Sequence, residues 1–146
     1  MKTRIAFPAL AIAALLAAGC QPTAKSGRGF QLPPGHADRG KAAFVQLKCT
    51  ECHRVDGVEL PAPTAKPDQI VTLGGDVTNL RTYGQLVTAI IHPNLAISDK
   101  ITTALPATGS PMKNFNREMT VEQLVDIVTF LSPTYRQLAP PPEPSS

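Results

Sequence analysis

The sequence predicts a small helical domain, with three helices joined by long connections around something other than protein. Three segments carry apolar residues at helical spacing, and two of them begin with a capping-box pattern. Proline accounts for 15 of the 146 residues, so long stretches must lie outside helices and central strands. Two connections of about 25 residues, 54–79 and 94–118, are long for so small a domain. Connections of this length are expected if a non-protein group fills the middle of the domain.

Composition and charge exclude some classes of protein. Apolar residues make up 42% of the chain and charged residues 17%, which is too apolar for a wholly disordered chain. The formal net charge is only +3 and aromatic residues make up 5%, thin for a surface that stacks nucleic-acid bases. We therefore expect one globular domain and no nucleic-acid partner.

The first twenty residues have the layout of an export signal. Residues 1–4 carry two positive charges, and residues 5–18 form an uncharged, mostly apolar run, shorter than the roughly 20 residues of a membrane-spanning helix. The end of this run, residues 16–20 (LAAGC), resembles the bacterial lipobox, in which the cysteine is lipid-modified and the chain is cut just before it. We expect a signal peptide at 1–19 and an acyl anchor on Cys20. The alternative is a plain signal peptide with an incidental cysteine.

The rest of the chain divides into a tether, a domain and a tail. Residues 20–34 are rich in glycine, proline and serine without apolar periodicity, and are predicted to form a flexible, lipid-anchored tether. Residues 139–146 (APPPEPSS) cannot form a core and are predicted to be a disordered tail. Residues 35–138 remain for one small domain.

The first helix is predicted over residues 37–47. Its apolar residues recur at spacings of three and four and so form a stripe along one face. Gly40, which lies in this stripe, lowers helix stability by roughly 1 kcal/mol relative to alanine in a helix interior. A close crossing with another helix at Gly40 would account for this glycine. The stripe comprises Ala37, Gly40, Phe44 and Leu47.

Two further helices are predicted from their starts and ends. Residues 82–85 (TYGQ) form a capping box before the second helix, which Pro93 ends. Residues 120–123 (TVEQ) form another before the third helix, which Pro133 ends. The predicted apolar faces are Leu86, Val87, Ile90 and Ile91 in the second helix and Val121, Leu124, Val125, Val128 and Leu131 in the third, with Met119 and Leu124 as a hydrophobic staple.

The chemistry of the chain is concentrated at residues 49–53. Their sequence, Cys-Thr-Glu-Cys-His, is the Cys-x-x-Cys-His pattern of covalent c-type haem attachment. Two thiols separated by two residues in a tight turn can reach the two vinyl groups on one edge of the macrocycle. The next residue then lies under the iron, where its imidazole can bind. We therefore assign Cys49 and Cys52 to the thioether bonds of one haem c, and His53 to the proximal iron ligand.

Three alternatives compete with haem attachment at residues 49–53. A thioredoxin-like dithiol belongs in a βαβ unit, whereas this pair follows a helix and precedes a proline-rich loop. A structural zinc site needs four ligands. With Cys20 lipidated, only the two thiols and His36, His53 and His92 remain, at spacings unlike those of common zinc modules. The third alternative is a chance occurrence.

Several segments together resemble class I c-type cytochromes. They are residues 35–44 (GHADRGKAAF), the Cys pair of 49–53, a methionine-bearing loop, and a last helix ending in residues 128–131 (VTFL). The resemblance covers residues 35–138. The chain departs from the family pattern in having no tryptophan and in the length of its 59–72 loop.

The resemblance implies an all-α, cytochrome c-like domain wrapped around one covalently attached haem. The first and last helices of such a domain cross, here at Gly40 and Phe44 against Phe130 or Leu131. The haem then serves as the core and keeps the long connections in order.

The resemblance also implies a methionine on the other face of the iron. Met112 lies in a Gly-Ser-Pro-Met loop that can fold over the haem, although Lys113 stands where a proline often follows. Met119 has a role available in the staple, and a methionine is more often core filler than a ligand. His92, at a helix end, and a vacant position are the remaining candidates. A thioether opposite histidine favours ferrous iron and raises the reduction potential.

Other residues are candidates for supporting the haem. The second ring nitrogen of His53 needs a partner, commonly a backbone carbonyl, and Pro61 or Pro63 could supply it, unless Gly75 marks the equivalent turn. Three further residues could meet the propionates or be ordinary surface residues: Arg54, Arg81 and Tyr83.

These observations predict a lipid-anchored, periplasmic mono-haem cytochrome that passes single electrons between other redox proteins and is not itself an enzyme. Gln21 after the lipidated Cys20 favours the outer over the inner membrane of the bacterial cell envelope, by analogy with enteric bacteria. The alternatives are a haem-bearing subunit of a dehydrogenase or reductase, a haem gas sensor with an open iron position, and a haem-free lipoprotein that only binds a partner.

Overall fold

The structure is a computed structural model that describes residues 32–97, 100–101 and 104–138. The chain divides into two units, Met1–Leu32 and Pro33–Ser146, and the elements below belong to the second unit.

Several sequence predictions fall outside this described part. They are the signal peptide at 1–19, the lipidation site Cys20, most of the 20–34 tether, and the 139–146 tail. Among the residues that the structure describes, no helix is long and apolar enough to cross a membrane.

The described part of the chain contains three α-helices. Helix α1 spans Ala37–Gln46, α2 spans Tyr83–Ile91 and α3 spans Val121–Leu131. The three predicted helices are therefore confirmed, with ends that agree to about one turn. Short 3₁₀ turns follow each helix, at Cys49–Glu51, Pro93–Leu95 and Ser132–Thr134.

Both predicted capping boxes are present. The Thr82 hydroxyl accepts a hydrogen bond from the Gln85 N–H at 3.2 Å, and the Gln85 side chain accepts one from the Thr82 N–H at 3.1 Å. Thr120 and Gln123 repeat the arrangement at 3.1 and 3.0 Å. Each box pairs two backbone donors that a helix start otherwise leaves unsatisfied, which is why α2 and α3 begin where they do.

Helices α1 and α3 cross in close contact at Gly40. A Cβ on Gly40 would overlap the backbone carbonyl of Asp126 and would lie 2.8 Å from the Phe130 Cβ, so only glycine fits. One turn further on, the rings of Phe44 and Phe130 meet edge to face with centroids 5.9 Å apart. The predicted crossing of the first and last helices is confirmed.

Helix α3 lies at the centre of the core and is buried on nearly every side. Its buried residues include one carboxylate, Asp126, which accepts hydrogen bonds from the His36 N–H at 2.7 Å and from the Arg39 side chain at 2.8 and 3.2 Å. Two predicted positions differ: Val121, in the first turn of α3, is 63% exposed, and Ala37 of the predicted α1 stripe is exposed as well. The buried apolar residues are Ala43, Phe44, Val55, Val77, Leu80, Leu86, Val87, Leu124, Val125, Ile127, Val128, Phe130, Leu131 and Tyr135.

A small parallel sheet accompanies the predicted helices, so the all-α prediction is confirmed only as a mostly helical fold. Strand β1, His53–Val55, pairs with β2, Val71–Leu73, so that His53 lies opposite Val71. The domain is mostly helical, but the long connection after the Cys pair returns to form this ladder. Beyond β2, Gly75 pairs with the segment after α3: its N–H donates to the Thr134 carbonyl at 2.8 Å, next to the buried Tyr135.

The Gly40 crossing generates a stability prediction. Gly40→Ala should lower the free energy of unfolding by about 1–3 kcal/mol, because the new methyl group must push α3 away. Gly84→Ala is the matched control, since a Cβ at that helical glycine meets no atom within 4 Å. This change should leave stability the same or raise it by about 0.5 kcal/mol. Urea unfolding followed by circular dichroism measures both, and equal effects of the two substitutions would contradict the close crossing.

The buried Asp126 generates a prediction about pH. The Arg39 guanidinium, helped by the His36 N–H, holds the pKa of the Asp126 carboxyl below its usual range. The ionised carboxylate therefore stabilises the fold above the ordinary Asp pKa of about 3.9, and this contribution is lost as the pH falls through the lower folded value.

Asp126→Asn should accordingly destabilise the protein most near neutral pH, and its deficit relative to wild type should shrink below about pH 4. Thermal unfolding at a series of pH values measures this. Asp76→Asn is the control, because its ion pair with Arg136 joins two side chains that are 59% and 69% exposed and should contribute little. A deficit of Asp126→Asn that does not change with pH would refute the argument.

Candidate functional site

The Cys pair lies in a tight turn directly after α1. Helix α1 ends at Gln46 with Leu47 as its C-cap, and Lys48 then takes a left-handed conformation with φ 59° that leads the chain into the Cys49–Glu51 turn. The Cys52 N–H then donates to the Cys49 carbonyl at 3.2 Å. The two thiols are not joined in a disulfide; Cys49 is half-buried and Cys52 is exposed. Burial raises the pKa of the Cys49 thiol to about 11, so this sulfur stays neutral.

His53 follows the turn and is supported on two sides. Its ring lies beside the Phe44 ring, with centroids 6.5 Å apart, and its Nδ1 lies 3.4 Å from the Val71 carbonyl oxygen. Burial lowers the pKa of His53, which favours the neutral imidazole, the form that binds a metal. A proton on Nδ1 directed at the carbonyl leaves the lone pair on Nε2 free for a ligand.

The partner of His53 differs from the one predicted from the sequence, because it is the Val71 carbonyl. Neither Pro61 nor Pro63 provides it, and Gly75 pairs instead with the segment after α3 through its N–H and its carbonyl. The parallel register places Val71 opposite His53. The signal available in the sequence is a run of β-branched residues between a proline and two glycines, which is typical of a short strand.

Strand β2, which carries this carbonyl, is itself held from both sides. The Val71 N–H donates to the Cys52 carbonyl and the Asp56 N–H to the Leu73 carbonyl, each at 2.9 Å. On its other side the Lys100 ammonium donates to the carbonyls of Thr72 at 3.0 Å and Gly74 at 2.9 Å. Lys100 escaped the sequence analysis because a lone lysine in a loop carries no pattern.

The long loop after the Cys pair is tied back to it by Glu51. The Glu51 carboxylate accepts hydrogen bonds from the Thr64 N–H at 2.9 Å, from the Thr64 hydroxyl at 3.0 Å and from the Ala65 N–H at 3.4 Å. A residue between the two cysteines therefore anchors the proline-rich segment against the turn that carries them.

The candidates for the iron ligand opposite His53 lie between α2 and α3. Met112 is half-buried in a loop where its N–H donates to the Ser110 hydroxyl at 3.2 Å. Met119 lies just before α3, and its N–H donates to the Phe115 carbonyl at 2.8 Å. His92 is exposed at the C-terminal end of α2. The assignment of Met112 stays a prediction.

The chain was compared with known proteins. The model of the cytochrome c family matches residues 37–134, which covers every element described above. The protein belongs to the cytochrome c family. No curated protein and no solved structure matched the chain. The family binds haem c covalently and serves haem-based electron transfer.

The residues at 49–53 of this cytochrome have the chemistry needed to hold haem c. Two unpaired thiols lie in one turn with two residues between them, and the neutral imidazole that follows them is oriented by a backbone carbonyl. In the part of the chain that the structure describes, no three His, Cys, Asp or Glu side chains come together as a metal site of their own. Two thiols followed directly by a histidine are the groups that covalent attachment of haem c requires.

The sequence offers Arg54, Arg81 and Tyr83 as contacts of the haem propionates, and the structure shows other features of these side chains. The Arg54 guanidinium donates to the carbonyls of Thr50 at 2.9 Å and His53 at 3.2 Å, and so braces the turn. Arg81 donates to the Thr78 carbonyl at 3.4 Å. Burial raises the pKa of the Tyr83 hydroxyl, which keeps it a neutral donor. A propionate contact for any of these residues stays a prediction.

Proposed function

We propose that this cytochrome is a mono-haem, class I electron carrier that is held at the bacterial cell envelope by lipid on Cys20. In this proposal Cys49 and Cys52 form the thioether bonds, His53 binds the iron from the proximal side, and Met112 binds it from the distal side. Bound haem c supplies an iron centre that takes up one electron, going from ferric to ferrous, and gives it back.

One observation carries the proposal. The turn of 49–53 presents two unpaired thiols and an imidazole whose Nδ1 lies 3.4 Å from the Val71 carbonyl. A histidine held in this way keeps one tautomer and one ring orientation, so its Nε2 lone pair has a fixed direction. Such a ligand needs little rearrangement when the iron changes its charge, which suits a carrier.

The proposed distal ligand determines what the protein does with its iron. A thioether is a soft, neutral ligand that favours the ferrous state. With both His53 and Met112 bound to the iron, no substrate would reach the metal, and the chain would act by passing electrons to other redox proteins.

The anchor accounts for the first part of the chain. Acyl chains on Cys20 would hold the domain to a membrane without a spanning helix. Residues 20–34 would then act as a flexible spacer with a mean reach on the order of 20 Å. The periplasmic side, and the outer membrane in preference to the inner, are part of the same proposal.

The haem assignment predicts a specific spectrum. Protein made in a host that attaches c-type haem should keep its haem through denaturing electrophoresis. Its ferric form should be low-spin, with the weak far-red absorption band of sulfur–iron bonding. Met112→Ala should abolish this band and lower the reduction potential, because the soft ligand is lost.

Two matched variants control this experiment. Met119→Ala and His92→Ala should each retain the band, because neither residue binds the iron. A band that survives Met112→Ala and disappears in Met119→Ala would move the ligand to Met119. Absence of haem from the wild-type protein would refute the assignment of Cys49, Cys52 and His53.

The anchor is tested separately. Wild-type protein should incorporate radiolabelled palmitate and fractionate with membranes, whereas Cys20→Ser should do neither, since the thiol that carries the lipid is gone. Density-gradient separation of the membranes assigns the inner or the outer one. Label that persists in Cys20→Ser would contradict lipidation at this residue and leave the haem assignment intact.

A further inference from the structure

The loop that carries Met112 is attached to the end of α2 at two points, each through an asparagine side chain. Asn94, just beyond α2, contacts the loop shortly before Met112. Asn116 contacts the last residue of α2 from a position shortly after Met112. We call residues 109–116 the distal segment. It has no α-helix or strand of its own, so its position depends on such attachments.

The first attachment reaches Met112 through Ser110. The Asn94 Oδ1 accepts a hydrogen bond from the Ser110 N–H at 2.8 Å. The Ser110 hydroxyl in turn accepts one from the Met112 N–H at 3.2 Å. Gly109 allows this contact, because its φ is +93° and a Cβ there would lie 2.6 Å from the Asn94 Oδ1. The backbone therefore passes close over the Asn94 amide group.

The second attachment uses a carbonyl that the helix leaves unpaired. The Asn116 Nδ2 donates to the Ile91 carbonyl at 2.9 Å, and Ile91 is the last residue of α2. The final carbonyls of a helix have no partner within it. Asn116 is itself oriented, because its N–H donates to the Asn114 Oδ1 at 2.9 Å.

We propose that Asn94 and Asn116 are positioning residues that hold Met112 in place as the distal iron ligand. This proposal rests on the proposed function, in which Met112 binds the iron. The two asparagines act on the backbone on either side of Met112 and attach it to the C-terminal end of α2 and the turn that follows. Their contribution is to keep the sulfur available to the iron and to resist its displacement by another ligand.

One asparagine accepts its hydrogen bond and the other donates it, and this difference permits a sharp test. Asn94 acts through its oxygen as an acceptor, so Asn94→Asp preserves the hydrogen bond from Ser110. Asn116 acts through its nitrogen as a donor, so Asn116→Asp removes the donor and places a carboxylate against the Ile91 carbonyl. Aspartate should therefore rescue the first position and fail at the second. A general effect of charge or of loop flexibility would not distinguish the two.

The experiment titrates the ferric, haem-loaded protein with imidazole and follows loss of the far-red band as imidazole displaces the sulfur. Asn94→Ala, Asn116→Ala and Asn116→Asp should each raise the apparent imidazole affinity about fivefold, the effect of one lost hydrogen bond, whereas Asn94→Asp should stay within about twofold of wild type. Asn79→Ala is a matched control, because Asn79 donates to the Ile97 carbonyl at 3.1 Å, outside the distal segment.

A second measurement needs no variant. If the attachments and the iron–sulfur bond support each other, displacing the sulfur must weaken the attachments by the same factor. Saturating imidazole should therefore speed hydrogen exchange at the Ser110 amide of the wild-type protein about fivefold or more. The Thr64 amide, which donates to Glu51 at 2.9 Å, should exchange at an unchanged rate.

The outcomes separate this proposal from the one on which it rests. A wild-type protein without the far-red band refutes the Met112 assignment and the positioning role together. A wild-type protein with the band, whose alanine variants bind imidazole as wild type does, refutes the positioning role alone. Equal effects of aspartate at both positions, or an unchanged Ser110 exchange rate, would also overturn it.

Discussion

The close crossing of α1 and α3 at Gly40 is the contact on which the rest of the domain depends. Because a glycine faces the α3 backbone there, the two helices approach closely enough for the Phe44 and Phe130 rings to meet. Phe44 in turn lies beside the His53 ring. The crossing therefore fixes the end of α1, and with it the turn of 49–53 that follows directly.

The support of His53 comes from distant parts of the chain. Phe44 provides one wall, and the Val71 carbonyl receives Nδ1 from the small parallel sheet. The sheet is held at its outer edge by Lys100, which belongs to the connection between α2 and α3. Restraint of one imidazole thus requires α1, β2 and that connection to be in place at once, which couples the site to the completed fold.

Sequence reasoning succeeded where the signal is local. A capping box spans four residues, so Thr82 and Thr120 could be identified directly, and the Cys-x-x-Cys-His turn is contiguous. Gly40 was visible as an unfavourable residue in an otherwise good helix. What escaped prediction depends on pairing over distance: Val71 lies 18 residues from His53, and Asp126 lies 90 residues from His36. No local pattern specifies such partners, because loop closure and packing select them.

On the proposed assignment, the two axial ligands are held by structures of different strength. His53 follows two cysteines and lies in a ladder of backbone hydrogen bonds next to the buried Phe44 ring. The distal segment is held by the exposed side chains of Asn94 and Asn116, and none of residues 109–116 is buried. Local opening begins where buried contacts are fewest, so the sulfur side opens before the imidazole side. On this proposal the domain would keep its proximal ligand while the distal ligand exchanged, and the strength of the two asparagine contacts would set how often that occurred.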